Sequence, residues 1–320
     1  MLSARKGPGA FAWMRFLPGL AGGFGYRRAV PVALITGAST GIGHATALRL
    51  AAAGWEVLAG VRDPVAGERL VEESKAAPGS SAGGVIPLTL DVTDAAQIAA
   101  AAAFVDGRAN GHGWLGSGRL DALVNNAGIG VGGPLELLDM ADLRMQLEVN
   151  VVGQVAVTQA LLPALRRARG RIVLVSSIGG RVAVPFNGPY AASKYAVEAI
   201  GDALRGELHS SGIAVSLVEP GSVKTPIWGK SRAEAERLTV PPELEAEYGH
   251  VKSAFAKVLS DTESRGVPPE RVAATIERAL TARRPRSRYL VGLDAYGMVL
   301  AKALLPSRAF DGVIRRSLGV

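Results

Sequence analysis

From Pro31 onward, short runs of β-branched and aliphatic residues alternate with longer amphipathic runs rich in alanine. This alternation predicts successive βαβ units and a parallel sheet, because a strand buried on both faces reads as a continuous apolar run while its covering helices keep a period near 3.6. Seven strands are predicted, at PVALITG, EVLAGV, VIPLTLDV, LDALVNNAG, GRIVLVSS, IAVSLVEPG and RYLVGL. Helical stretches separate them, among them GIGHATALRLAAAG, AGERLVEESKAA, DLRMQLEVNVVGQVAVTQALLPALRRA and YAASKYAVEAIGDALRGELHSSG. Several close on a glycine suited to a left-handed C-terminal cap. The expected architecture is one doubly wound α/β domain of the Rossmann type over residues 30–293, with helices on both faces of the sheet.

Four stretches fall outside that rhythm. Residues 1–29 mix glycine, aromatic and basic residues with neither a helical nor a strand period, and Arg15 breaks the apolar run a secretory signal would need. They read as a flexible extension. Residues 105–120, VDGRANGHGWLGSGRL, form a glycine-rich surface insertion before the fourth strand. Residues 223–261 make a mostly helical excursion between strands six and seven, on the side where open parallel sheets bind ligands, so they are expected to cover a pocket. Residues 294–320 alternate apolar patches with Lys302, Arg308, Arg315 and Arg316; such a tail either packs on its own domain or a neighbouring subunit, the commoner outcome, or lies on an anionic membrane surface.

Composition narrows the function classes. At 320 residues and 48% hydrophobic the chain can bury a large core. The absence of cysteine excludes a disulfide framework, a thiolate zinc site and cysteine nucleophiles; no metal site is expected, and a reducing cytoplasm is the expected compartment. The net charge of +8 is spread over helix faces and both termini rather than gathered in a patch, which argues against nucleic acid. No apolar run is long enough to span a bilayer.

Candidate chemistry begins at LITGASTGIGHATALRL, where a strand runs through Gly37, Gly41 and Gly43 into a helix. A tight glycine turn lets backbone approach a pyrophosphate, and the helix start offers unpaired N–H groups and a positive dipole end. The same residues could make a mere βα turn, since the spacing G-x-x-x-G-x-G differs from G-x-G-x-x-G and the chain holds 40 glycines. After the second strand Val61 stands where sites preferring NAD carry a carboxylate, and Arg62 follows. Arginine suits a ribose phosphate, which favours NADP(H) over NAD(H), although Arg62 could be a solvated turn residue partly cancelled by Asp63. Asp91 and Val92 end the third strand and can address adenine; alternatively Thr93 or Asp94 caps the next helix.

Together with these pieces, TGASTGIG at 36–43, NNAG at 125–128, Asn150, the serines at 176 and 177, YAASK at 190–194 and PGSVKT at 220–225 resemble the short-chain dehydrogenase/reductase family over residues 30–293, with a likeness to its steroid and retinol dehydrogenase members. The resemblance implies a catalytic tetrad of Asn150, Ser177, Tyr190 and Lys194. It also implies a dinucleotide held by Gly37, Ser39, Thr40, Gly41, Ile42, Gly43, Arg62, Asp91, Val92, Asn126, Ala127, Gly128, Tyr190, Lys194, Pro220, Gly221, Val223 and Thr225, and a homodimer or homotetramer through the two long helices.

The spacing supports this chemistry independently. Tyr190 and Lys194 lie four apart and share a helix face. An ordinary phenol titrates about 3 units above the neutral range useful to an acid or base, roughly 4 kcal/mol, and a nearby ammonium helped by an oxidised nicotinamide can supply a shift of that order. Ser177 can donate to a substrate carbonyl oxygen, whereas Ser176, adjacent on the strand, faces the other way and reads as structural. For Asn150 it is the resemblance that implies a role, since it looks like the family's helix-interrupting asparagine whose carbonyl holds a water relaying protons from Lys194; the residue by itself reads equally as an amide satisfying a helix defect.

The expected substrate walls are IGVGGPLEL, IGGRVAVPFNG and VKTPIWGK, with Phe186, Ile227 and Trp228 the bulky members, so a lipophilic alcohol or ketone is favoured over a sugar or charged acid. Arg181 could bind a substrate carboxylate but reads as an exposed loop residue. The alternatives are a 3-oxoacyl-carrier-protein reductase, which tends to be shorter, a cofactor-sensing protein without turnover, and epimerisation or dehydration on the same scaffold.

Overall fold

The computed structural model describes residues 30–76, 83–107, 118–226, 239–251, 253–254, 260 and 264–318. Seven parallel strands form one sheet: β1 (Val32–Thr36), β2 (Glu56–Val61), β3 (Gly84–Thr89), β4 (Ala122–Asn125), β5 (Arg171–Val175), β6 (Ala214–Pro220) and β7 (Arg288–Val291). Their spatial order is β3-β2-β1-β4-β5-β6-β7, so the connections reverse direction between β1 and β4. A crevice opens at such a reversal, outside the carboxyl ends of the strands.

Helices α1 (Gly41–Ala52), α2 (Pro64–Ala76) and α7 (Pro269–Thr281) pack on one face. Helices α3 (Ala95–Gly107), α5 (Gly153–Ala168) and α6 (Gly188–Glu207) cover the other. Strand alternation divides the core accordingly: Ala33, Ile35, Val173 and Val175 point to the first layer, Leu34, Leu123, Ile172 and Leu174 to the second. Both layers are buried, which is why the strands read as unbroken apolar runs.

The long helix expected at 142–168 is interrupted. It begins as α4 (Met140–Leu147), widens into one π-helical segment at Glu148–Val152, and continues as α5. Asn150 sits inside that widening, where a side chain commits to another part of the chain. Helix α3 runs through Gly107, so the insertion expected from 105 begins as helix; residues 108–117 and the extension 1–29 lie outside the described residues. Of the excursion at 223–261, the described part contains a 3₁₀ turn, Pro242–Leu244, and a one-turn helix, Glu245–Tyr248. The chain closes with α8 (Leu293–Leu304) and α9 (Ser307–Leu318). Among the described residues no helix is long and apolar enough to cross a membrane.

Candidate active site

A cleft of about 420 Å³ lies over the carboxyl ends of β1, β4, β5 and β6. Its first end is built by Gly37, Ser39, Thr40, Gly41 and Ile42 from the β1–α1 turn, Arg62 after β2, Leu90 to Thr93 after β3, and Asn126 to Gly130 after β4. The opposite end is built by Val175, Ser176 and Ser177 after β5, Tyr190 and Lys194 on α6, and Pro220, Gly221 and Val223 after β6, while Thr225 and Pro226 cross back to the turn, where a Cβ on Gly41 would meet them at 3.1 and 3.8 Å. Of the site residues expected from the sequence, all but Gly43 and Asn150 border the cleft.

Gly43 and Asn150 hold it in shape from behind. A Cβ on Gly43 would stand 2.3 Å from the Gly37 carbonyl oxygen, so the helix can approach the turn only without a side chain there. Gly37 and Gly41 adopt φ of +65° and +59°, the left-handed region that glycine occupies without strain. Asn126 fixes the turn: its Nδ2 donates to the carbonyls of Thr36 and Gly37 at 3.0 Å each. Thr36 in turn accepts from the amides of Asn126 and Ala127 on its hydroxyl. The expected cofactor contact at Asn126 is thus at least as much a tie between β1 and β4. Thr40 caps α1 without a side-chain hydrogen bond to the helix.

At the rim, Asp63 accepts from the Val65 amide at 3.0 Å and caps α2. Arg62 instead faces Asp91, whose carboxylate also accepts from the amide and hydroxyl of Thr93. Although burial works upward, these partners together hold Asp91 below the usual carboxylate range. Asp94 separately caps α3 through the amides of Ala96 and Gln97, so a strand-end carboxylate and a helix cap coexist.

At the far end, Ser177 Oγ accepts from the Gly179 amide at 3.0 Å and hydrogen-bonds the Tyr190 phenol. The Tyr190 ring lies close enough that a Cβ on Gly179 would come within 3.2 Å of it. Burial raises the phenol, and the Ser177 bond acts in the opposite sense. Lys194 is 4% exposed; its Nζ sits 5.6 Å from the Tyr190 ring centroid and donates to the Val175 carbonyl at 2.9 Å. Burial brings that ammonium down to about 8, with the Glu198 charge working upward.

Asn150, fully buried, accepts from the Ile129 amide at 2.8 Å and donates to the Ile129 carbonyl and to Ser193 Oγ. Gln146 repeats the pattern one helical turn earlier, accepting from Val131 and donating to Ile129. Gln146 lies in no motif, and Ser193, although inside YAASK, carried no assigned role; a glutamine one helical turn before Asn150 is the trace that sequence leaves. Arg181 is not free for a ligand: its Nη1 pairs with Glu219, a fully buried carboxylate, at 3.2 Å.

Part of the lining is apolar. Ile129, Met145 and Val149 line the cleft, and Leu135 packs where a Cβ on Gly188 would sit. Phe186, at φ +64°, packs its ring edge-on to His250 with centroids 5.9 Å apart, and its carbonyl accepts from the Gly133 amide. Tyr248 donates to Glu136 at 2.8 Å, so the described part of the excursion reaches the β4–α4 connection. Ile227 and Trp228 lie outside the described residues. From the opposite side, Asp294 at the start of α8 accepts from the Ser222 amide at 2.7 Å, fixing the turn that follows β6. Replacing Asp294 by Ala is expected to lower stability by about 1 kcal/mol and to raise the KM for the nicotinamide more than it lowers kcat, as read by thermal unfolding and initial rates.

The family model of short chain dehydrogenases matches residues 31–236. The chain belongs to the short-chain dehydrogenase/reductase family. It is 36% identical over 288 residues to retinol dehydrogenase 5 of Mus musculus, covering 88% of this chain and 86% of that protein. It is 34% identical over 291 residues to the NADPH-dependent 3-dehydrocapnine reductase of Ornithobacterium rhinotracheale, covering 89% and 96%. A short-chain dehydrogenase/reductase of Burkholderia phymatum in complex with NAD superposes with a TM-score of 0.70 at 27% identity, covering 86% of this chain and 93% of that one. As a family member with relatives named dehydrogenases and reductases, the chain is an NAD(P)-dependent oxidoreductase.

Proposed function

We propose that this chain interconverts a lipophilic secondary alcohol and its ketone, with Tyr190 as the general acid and base and NADP(H) preferred over NAD(H). The observation that carries the reading is the meeting of Ser177, Tyr190 and Lys194 at one end of a cleft whose other end is the glycine turn.

The cleft fits a dinucleotide. Gly37 and Gly41 clear backbone from the start of α1, where Thr40 leaves the first-turn amides without a side-chain cap, a setting that favours a pyrophosphate. A bound nicotinamide supplies or accepts the hydride. The chain's own residues do the rest. Val223 and Thr225 border the cleft on the segment that runs from β6 to the glycine turn, where they can orient a carboxamide. Ser177 donates to the substrate oxygen as Tyr190 delivers or removes the proton. Burial outweighs the Ser177 bond, which favours phenolate, so Tyr190 needs positive charge beside it to act near neutral pH. Lys194, with its ammonium titrating at about 8, supplies part of that charge at pH 7. Because the Asn150 side chain is committed to Ile129 and Ser193, any part in a proton relay falls to its backbone carbonyl in the π-helical segment.

The apolar wall supports the substrate class. Leu135 and Met145 are 65% and 53% exposed beside this end of the site, a surface that a lipophilic ligand would cover. A panel of hydrophobic secondary alcohols and ketones with both nicotinamides tests this; cofactor binding without turnover on any of them would favour the cofactor-sensing alternative.

Arg62 supports the cofactor preference, since it stands at the cleft rim while Asp63 is occupied in capping α2. The relatives point both ways, one named NADPH-dependent and one solved with NAD. Arg62→Ala is expected to reduce the ratio of NADP(H) to NAD(H) affinity by about 10–100-fold, the worth of one charge-assisted phosphate contact. An unchanged ratio in fluorescence titration would remove the assignment.

A further inference from the structure

The layer between α6, the carboxyl ends of β5 and β6 and the start of β7 holds an unusual amount of charge for a protein interior. Glu219 on β6 is fully buried and Glu198 on α6 is 6% exposed. Both meet the same donor: Arg288 Nε on β7 lies 2.9 Å from Glu198 Oε2 and 3.1 Å from Glu219 Oε1. Two carboxyls gathered on one N–H are close neighbours, and Glu198 Oε1 is buried without a donor. Like charges so placed disfavour full ionisation, and a proton bridging the two oxygens satisfies the orphan.

This pair is one helical turn from Lys194, since residues four apart share a face of α6. Gly180 makes the approach possible. A Cβ there would meet Ser176 Oγ at 2.8 Å, the Lys194 carbonyl at 2.9 Å and Glu198 Cγ at 3.0 Å. Ser176 Oγ is itself buried without a partner.

We propose that Glu198 and Glu219 share one proton and together act as positioning residues for the reaction, setting the charge that stands behind Lys194. The inference rests on the reading of Lys194 given under the proposed function. The charged and titratable groups facing the pair are Lys194 and Asp202 on α6, Arg181 after β5 and Arg288 on β7, with Asp202 taking the second arm of Arg288 at 2.7 Å. Arg181 and Arg288 are partly exposed and bring the cluster to solvent, while Lys302 of α8 donates to the Arg181 carbonyl.

The sign follows from these neighbours. Burial first, and then the Glu198 charge, push the Glu219 carboxyl up to about 7 against the pull of Arg181. Below that pH the pair carries one negative charge. Above it the pair carries two, and the added charge favours the Lys194 ammonium as pH rises toward the value at which burial would strip its proton. The pair thereby extends the range over which Lys194 stays charged.

The test compares wild type, Glu219→Gln and Glu198→Gln. Lys194 is titrated by NMR of ε-carbon-labelled lysine, and the alkaline limb of the kcat/KM profile is recorded for a hydrophobic secondary alcohol. The expected order of Lys194 titration is wild type above E219Q above E198Q, with the last lowered by about 1 unit, and the alkaline limb moving in step. Coincident Lys194 titrations, even with lowered thermal stability, would overturn the proposal by leaving the pair a merely structural role. If neither variant folds, the infrared carboxyl band of labelled glutamate in the wild type decides: loss of a buried protonated carboxyl across neutral pH supports a shared proton, and its absence refutes one. Because the NMR and infrared measurements need no turnover, an enzyme silent on every alcohol would defeat the proposed function while leaving this result readable.

Discussion

Replacing Tyr190 by Phe is expected to lower kcat by about 10²–10⁴-fold, the usual contribution of a positioned acid or base. The change removes one oxygen and leaves the ring against Gly179, so the cleft keeps its shape. Cofactor affinity should therefore change little, and the pH dependence of the residual rate should lose the ionisation belonging to the phenol. Single-turnover rates with a hydrophobic ketone, together with cofactor fluorescence titration, check both halves. A variant turning over within a few-fold of wild type would remove Tyr190 from the chemistry and, with it, the role of Lys194.

The second large effect is expected at Gly43. In Gly43→Ala the new methyl would meet the Gly37 carbonyl oxygen at 2.3 Å and Asn126 Nδ2 at 2.5 Å. Neither can give way easily. The carbonyl belongs to the turn itself, and the amide is already bound to Thr36 and Gly37. Relief requires α1 to move off the turn, at about 1–3 kcal/mol or more for an overpacked contact, and the displaced helix start can no longer address an anion. We expect a lower melting temperature and a rise of more than about tenfold in the NADP(H) dissociation constant, that is, more than about 1.4 kcal/mol. Gly107→Ala is the control, because nothing lies within 4 Å of the Cβ it would add. Similar unfolding temperatures for the two variants would show that the turn tolerates what its geometry forbids.

The parallel sheet was legible in the sequence because burial on both faces writes itself as uninterrupted apolar strands. The glycine turn and the Tyr190–Lys194 pair were legible because each is set by local spacing, within one turn or one helix face. What escaped was long-range. Asn150 could be picked out, but not that its amide is spent on Ile129 and Ser193, nor that Gln146 works beside it. Arg181 read as a solvated loop residue, whereas Glu219, 38 positions later on a neighbouring strand, captures it. A glutamate in the otherwise apolar run LVEP was the available clue, since a carboxylate at a core position requires partners. Periodicity also carried α4 straight into α5, because one extra residue in a helical turn changes the pattern of buried positions too little to be seen.

Asp294 stands first in the stretch 294–320, which was expected to pack on its own domain, on a neighbouring subunit or on a membrane; its carboxylate holds Ser222 between Gly221 and Val223, two residues that border the cleft. Shortening the protein ahead of that aspartate would thus unfasten one wall of the cleft as well as strip α8 and α9. A load on α8 would accordingly be felt at the cleft through a single carboxylate.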